Sequence, residues 1–109
     1  MTPYGDIWVC IISVEEAIEG ARKLIYKKRQ VVAGYALLTR VFIHYSRFQI
    51  LPFDEAALKA FEAFPKEAKL VSKADRQIAA TAVARNYTVV TRNLRDFSRI
   101  PGVRCEDWA

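Results

Sequence analysis

Cysteine, glycine, proline and histidine are all scarce in this chain of 109 residues, and each shortage excludes a class of protein. Two cysteines are too few for a disulfide-stapled mini-protein, and no Cys/His spacing typical of a zinc site occurs. Four glycines and four prolines exclude a collagen-like or linker-dominated chain. One histidine argues against a Ser-His-Asp triad, and no glycine-rich phosphate loop is present. With 52% apolar residues, the chain is predicted to be a single globular domain over residues 1–109.

Acidic residues are outnumbered, with 12 Asp and Glu against 17 Lys and Arg, which gives a formal net charge of +5. This balance favours an anionic partner, nucleic acid before a membrane surface. The basic residues cluster in two stretches, Arg22 to Arg29 and Arg85 to Arg104. Neither a secretory signal nor an uninterrupted apolar run of membrane-spanning length is present, so we predict a cytoplasmic protein without a membrane segment.

Strand-like and helix-like segments alternate along the chain. A continuous apolar run predicts a buried strand over Ile7 to Ile12, and the capping-box spacing of Ser13 and Glu16 predicts a helix from there to about Arg29. Apolar residues at helical spacing predict a second helix over 30–48, packed on the first as a hairpin. The remaining predicted elements are a strand at 49–53, helices beginning at Asp54 and Ser72, a strand at 88–91, a loop or single turn at 93–100 and a strand at 103–106. This order predicts an α/β fold with a mostly parallel sheet flanked by helices.

The aromatic side chains of the predicted helices also recur at helical spacing. They are Tyr26, Tyr35, Phe42, Tyr45 and Phe61. We expect them to pack in the core or between the hairpin helices rather than to stack on bases.

Three acidic residues are predicted to lie at the carboxyl ends of strands, where open α/β sheets place their sites. Glu16 falls in the first helical turn after the first strand, Asp75 in the first turn of its helix, and Asp96 just beyond strand 88–91. Carboxylates from separate elements are the hard oxygen ligands that Mg²⁺ or Mn²⁺ requires, and such a site can promote phosphodiester hydrolysis. The same residues can instead stabilise helix starts and a turn, at about 0.5–2 kcal/mol for each helix start. Position alone therefore leaves both roles open.

Nearby arginines could hold a nucleic-acid backbone beside this group of carboxylates. They are Arg92, Arg95 and Arg99.

Several segments of the chain resemble PIN-domain proteins, and VapC-type toxin ribonucleases in particular. The resemblance is carried by Asp75-Arg-Gln-Ile-Ala-Ala-Thr-Ala82, Thr88-Val-Val-Thr-Arg-Asn-Leu-Arg-Asp-Phe97 and Ile100-Pro-Gly-Val-Arg-Cys-Glu-Asp-Trp108. Upstream, Ile12-Ser-Val-Glu-Glu-Ala-Ile-Glu-Gly20 resembles the strand-to-helix element that carries the family's second acidic residue. That acid stands four residues before a glycine, which selects Glu16 over Glu15.

This resemblance implies a PIN-like fold and metal-dependent endonucleolytic cleavage of RNA by a toxin of a toxin–antitoxin system. Glu16, Asp75 and Asp96 would bind Mg²⁺ or Mn²⁺, and Thr91 and Asn93 would support the site through hydrogen bonds. The implied partners are an RNA substrate, a small antitoxin that blocks the cleft, and a second copy of the chain in a homodimer.

The beginning of the chain departs from the PIN pattern. PIN domains begin with a strand that ends in Asp, and this sequence shows no counterpart, because Asp6 precedes the first predicted strand. We therefore expect a PIN-like domain lacking its first strand and first acidic residue, with three site carboxylates and impaired cleavage. The alternative is a catalytically inactive PIN-like module that binds RNA or protein, and a third reading is a structural, oligomer-forming remnant.

Overall fold

A computed structural model describes residues 8–91 and 93–107, and this part of the chain has an α/β fold with parallel strands flanked by helices. The fold class predicted from the sequence is therefore confirmed. The elements are β1 (Trp8–Cys10), α1 (Ile11–Tyr26), α2 (Val31–Tyr45), β2 (Gln49–Leu51), α3 (Glu55–Ala63), a 3₁₀ helix (Lys66–Leu70), α4 (Lys73–Ala84), β3 (Val89–Val90), α5 (Leu94–Phe97) and β4 (Cys105–Glu106). The chain divides into two compact units, residues 1–51 and 52–109. No helix in the described ranges is both long and apolar enough to cross a membrane.

The first unit contains one parallel strand pair and a helical hairpin. In register, Trp8 of β1 lies opposite Gln49 of β2, and Cys10 lies opposite Leu51. The helices α1 and α2 pack together as predicted, and at Gly34 there is no room for a Cβ atom beside Ile25 and Ala21 of α1. Ile25 is also buried, at 7% exposure.

The predicted boundary between the first strand and the first helix is wrong. Helix α1 begins at Ile11, with Cys10 as its N-cap and no side-chain capping bond, so Ser13 lies inside the helix and does not cap it. The misplacement arises because a short apolar run fits a buried strand and a buried helix start equally well. Glu16 consequently lies in the second turn of α1 instead of the first. Ile7 and Asp6, which entered the strand prediction, lie outside the described residues.

The predicted packing of the helix aromatics is wrong for three of the five. Tyr26, Tyr35 and Phe42 are exposed at 65%, 49% and 61%, whereas Tyr45 and Phe61 are half-buried. Helical spacing indicates that side chains share a face, but it does not say whether another element covers that face. In α2 the covered face is the one that carries Gly34 and Val41.

The described residues of the second unit form three α-helices, the 3₁₀ helix and a second parallel strand pair, β3 with β4, around a buried apolar cluster. The cluster comprises Ala68, Val71, Ala79, Ala82, Val89, Phe97 and Ile100. The two predicted helix starts are confirmed. The Asp54 carboxylate accepts a hydrogen bond from the Ala57 amide at 3.0 Å, and Ser72 Oγ accepts one from the Asp75 amide at 3.2 Å.

The turn after α4 reverses the chain. Asn86 has a positive φ of 59°, a conformation that asparagine tolerates better than most residues. The Asn86 and Tyr87 amides donate to the carbonyls of Val83 and Ala82, which closes the helix with the bonding pattern of a Schellman motif. Arg104 donates to the Asn86 backbone carbonyl and, at 3.0 Å, to Asn86 Oδ1. These contacts hold the turn from which β3 starts.

Candidate functional site

Asp75 is half-buried in the first turn of α4, with a carboxylate that has no partner among the described residues. Its backbone amide is held by Ser72 Oγ, and its side chain makes no hydrogen bond or ion pair to another described residue. The N-terminal turn of a helix carries partial positive charge, which attracts anionic groups. Asp75 therefore presents both carboxylate oxygens as acceptors.

Thr91, Asn93 and Asp96 form a continuous chain of hydrogen bonds immediately after β3. The Asn93 amide donates to Thr91 Oγ1 at 2.9 Å, and Asn93 Nδ2 donates to Asp96 Oδ2 at 2.8 Å. Asp96 is half-buried in α5, one residue before the buried Phe97. The Asn93 side-chain amide thus fixes one oxygen of the Asp96 carboxylate, and Oδ1 has no hydrogen-bond donor among the described residues.

The turn at Asn86 separates helix α4, which carries Asp75, from β3 and from α5, which carries Asp96. From Arg85 back to Asp75 along α4 is about 15 Å, and from Thr88 to Thr91 along an extended chain is about 10 Å. Ala79, one turn beyond Asp75, and Phe97, next to Asp96, belong to the same buried cluster. Asp75 and Asp96 therefore lie one helical turn and one residue, respectively, from members of the same buried cluster.

Glu16 belongs to the other compact unit. It is exposed in the second turn of α1, on the same helix face as Glu19. Within the described residues, no group of three or more His, Cys, Asp and Glu side chains is arranged to hold a metal ion. The sequence-predicted trio thus comprises two carboxylates of residues 52–109 and one of residues 1–51.

The structure describes two of the three arginines predicted beside the carboxylates. Arg95 and Arg99 are exposed in and just after α5, and Arg92 lies outside the described residues. Arg76, next to Asp75, is engaged structurally, because its Nε donates to the Val71 carbonyl at 3.1 Å and its guanidinium lies 5.2 Å from the Phe61 ring centroid.

A second basic surface was not among the predicted site residues. It is the segment Arg22–Arg29, hereafter the basic turn, which contains five Lys and Arg residues around the end of α1, all exposed. The sequence could have revealed this surface, because seven Lys and Arg residues but no Asp or Glu occur between Glu19 and Asp54.

Comparisons with known proteins agree with the fold and the motifs. The family model described as PIN domain matches residues 2–103. The tRNA(fMet)-specific endonuclease VapC of Salmonella typhimurium is 37% identical over 110 residues, covering 92% of this chain and 75% of that protein. Ribonuclease VapC2 of Haemophilus influenzae is 31% identical over 105 residues, covering 95% of this chain and 76% of that protein.

A solved structure extends the likeness to three dimensions. The crystal structure of DNA-bound VapBC from Salmonella typhimurium superposes with a TM-score of 0.79 and 31% identity. The superposition covers 97% of this chain and 78% of the chain in that structure.

Proposed function

Because the chain belongs to the PIN-domain family and, within it, to the VapC toxin ribonucleases, we propose that it is an endoribonuclease of a toxin–antitoxin system that requires Mg²⁺ or Mn²⁺. The observation that carries the proposal is the pair of acidic positions in the second unit. Among the described residues, Asp75 has no competing partner, and Asp96 is oriented by Asn93 with one carboxylate oxygen left unbonded. Hard carboxylate oxygens of this kind match the ligand preference of Mg²⁺ and Mn²⁺.

Each residue has a distinct task in this proposal. Asp75, Asp96 and Glu16 would hold the ion, which when bound supplies an activated water and neutralises charge on the scissile phosphate. Asn93, itself held by Thr91, keeps the Asp96 carboxylate in one orientation, so that less conformational entropy is lost when the site forms. Arg95 and Arg99, together with Arg92, would attract the RNA backbone.

The test is cleavage of a structured RNA by the full chain in Mn²⁺. A tRNA transcript is the first substrate to use, since the Salmonella relative is named for tRNA(fMet). We expect cleavage to disappear in EDTA and in Asp75→Asn and Asp96→Asn. Glu62→Gln, which removes one exposed negative charge from α3, should cut like the unsubstituted chain.

Substitution of Asn93 tests the same proposal through a smaller expected loss of cleavage. Asn93→Ala should reduce cleavage by less than Asp96→Asn does, because it frees the carboxylate without removing it. Circular dichroism melts of every variant separate loss of chemistry from loss of fold. Equal cleavage by Asp75→Asn and the unsubstituted chain would refute the proposed role of the carboxylates.

The alternative function is a catalytically inactive PIN-like module that binds RNA or protein. It is favoured by one observation, the lack of any three-residue metal-holding group among the described residues. Such a module would bind the tRNA transcript equally well in Mn²⁺ and in EDTA and would leave it intact. The cleavage assay therefore decides between the two.

We further propose a small antitoxin as protein partner, and a homodimer as the state of the chain in its absence. The support is the VapBC complex to which the chain is similar, together with large exposed apolar side chains on α2. Val32, Phe42 and Ile43 are exposed at 84%, 61% and 56%, and a surface of this kind is typical of a protein contact. Light scattering of the purified chain, alone and with the co-expressed antitoxin, tests both partners.

A further inference from the structure

We infer that the basic turn, Arg22–Arg29, is an RNA-backbone contact that anchors the substrate about 17 Å along α1 from Glu16. The inference rests on the proposed ribonuclease function for its substrate class. It concerns residues of the first unit, whereas the arginines predicted beside Asp96 belong to the second.

The first argument is uncompensated charge. Arg22 pairs with Glu19 at 3.6 Å, whereas Lys23, Lys27, Lys28 and Arg29 have no carboxylate within 4 Å among the described residues. Exposed basic side chains without acidic neighbours keep their full attraction for a polyanion and release its counterions on binding. Cations after the last turn also favour the negative end of the α1 dipole, and the experiment below separates that structural effect from binding.

The second argument is an exposed aromatic ring in the middle of these charges. Tyr26 is 65% exposed, and the Arg22 guanidinium lies 5.7 Å from its ring centroid. Its hydroxyl is hydrogen-bonded to that of Tyr35 on α2, a contact that raises the pKa of Tyr35. Stacking of bases on exposed aromatic rings is a common way to bind single-stranded RNA. An acidic protein segment would use the charges but has no comparable use for the ring.

The third argument is the backbone at Arg29. This residue has φ of 55°, a left-handed conformation that glycine adopts without strain. The turn is closed around it, because the Lys27 and Lys28 amides donate to the Lys23 carbonyl and the Gln30 amide donates to the Leu24 carbonyl. An arginine where glycine would be less strained is consistent with a use for its cationic side chain.

The position of the turn suits an anchor. Eleven residues of helical rise separate Glu16 from Lys27, which is about 17 Å along the α1 axis. RNA held there would be fixed several nucleotides from the bond being cut. The contact should therefore contribute to substrate affinity and leave the chemical step unchanged.

The experiment measures RNA binding in EDTA, where no cleavage interferes, by fluorescence anisotropy with a labelled single-stranded RNA of mixed sequence. The test variant is Lys23→Gln/Lys27→Gln/Lys28→Gln. Its matched control, Lys59→Gln/Lys66→Gln/Lys69→Gln, removes the same charge from exposed positions interspersed with Glu55, Glu62 and Glu67. Thermal melts accompany both, and Lys27→Gln/Lys28→Gln, which lies outside α1, replaces the triple variant if that one is unstable.

Three phosphate contacts predict a loss of affinity of roughly 100-fold near 0.1 M salt in the test variant. They also predict a plot of log K against log salt that is shallower by about 2, since each contact with a single strand contributes about 0.7. The control should lose far less. Tyr26→Leu should weaken binding roughly 5- to 100-fold, and Tyr26→Phe should not. Equal losses in the test and control variants would overturn the inference.

A poly-glutamate peptide of matched charge distinguishes RNA from an acidic protein segment. If the peptide binds as tightly as the RNA and Tyr26→Leu affects neither, the turn is a contact for an acidic protein and the RNA assignment is wrong. If the chain cuts RNA, the test variant should raise KM with kcat unchanged. Binding without any cleavage would refute the proposed activity and leave this inference standing. Cleavage of RNA by the unsubstituted chain, with equal RNA binding by both triple variants, would refute this inference and leave the proposed activity standing.

Discussion

Gly34 of α2 packs tightly against α1, and replacing it with alanine should loosen the hairpin. A Cβ atom at this position would lie 2.4 Å from Ile25 Cγ1, 3.0 Å from the Ile25 amide nitrogen and 3.2 Å from the Ala21 carbonyl oxygen. Ile25 is 7% exposed and Ala21 is fully buried, so neither can move aside without disturbing its neighbours. Two of the three contacts are with backbone atoms, which makes a helix shift necessary.

Gly20 provides the matched comparison, because it lies in α1 with nothing within 4 Å of an added Cβ. Alanine is favoured over glycine in a helix interior by about 1 kcal/mol, so Gly20→Ala should stabilise the chain by about that amount. Gly34→Ala gains the same helix preference but adds an overpacking cost of about 1–3 kcal/mol. The difference between the two variants therefore isolates the clash, and the short contacts with backbone put it at about 2–3 kcal/mol.

The assay is urea unfolding followed by circular dichroism at 222 nm. With a dependence of about 1–3 kcal/mol per molar urea, a difference of 2 kcal/mol separates the two midpoints by roughly 1 M. Gly20→Ala should unfold at higher urea than the unsubstituted chain, and Gly34→Ala at lower urea. Coincident midpoints for the two variants would show that the hairpin does not depend on close approach at Gly34.

Two further predictions concern the second unit. Hydrogen bonding from the Ala57 amide, with the Arg85 guanidinium beside it, holds the pKa of Asp54 below its ordinary value. The ionised Asp54 carboxylate therefore stabilises the fold above about pH 3.9, and this stabilisation is lost as the pH falls through the lowered pKa. Asp54→Asn keeps a capping acceptor without a titrating charge, so between pH 7 and pH 3 its urea midpoint should fall less than that of the unsubstituted chain. Parallel pH profiles for the two chains would contradict this. At the turn after α4, Asn86→Ala should be less stable than Asn86→Gly by about 1 kcal/mol, because both lose the side-chain acceptor for Arg104 and only alanine is strained at positive φ. Equal urea midpoints would show that the left-handed conformation costs nothing there.

Local signals predicted most of the second unit. Asp54 and Ser72 cap their helices within four residues of chain, so no distant contact is needed to place those starts. The hydrogen bond from Asn93 to Asp96 is likewise a contact between residues three apart. The PIN resemblance, and not local spacing, implied the supporting role of Asn93, whereas the place of Asp75 in the first turn of α4 follows from its cap.

Interactions between distant segments decided what local patterns left open. The apolar run at Ile11 and Ile12 starts α1 instead of extending β1, because β1 ends where its pairing with β2 ends, opposite Leu51. Helical periodicity grouped Tyr26 and Tyr35 with the apolar faces, but whether a face is covered depends on which elements fold against it.

The helices, the alternation of strand and helix, and the acidic positions that the PIN resemblance singles out can all be predicted from residue spacing and from neighbours along the chain. The register of β1 with β2, the tight packing of Gly34 against α1, and the exposure of Tyr26 among the cations of the basic turn cannot be predicted in this way. Those features depend on how closely segments far apart in sequence approach, and a one-dimensional pattern does not specify that distance.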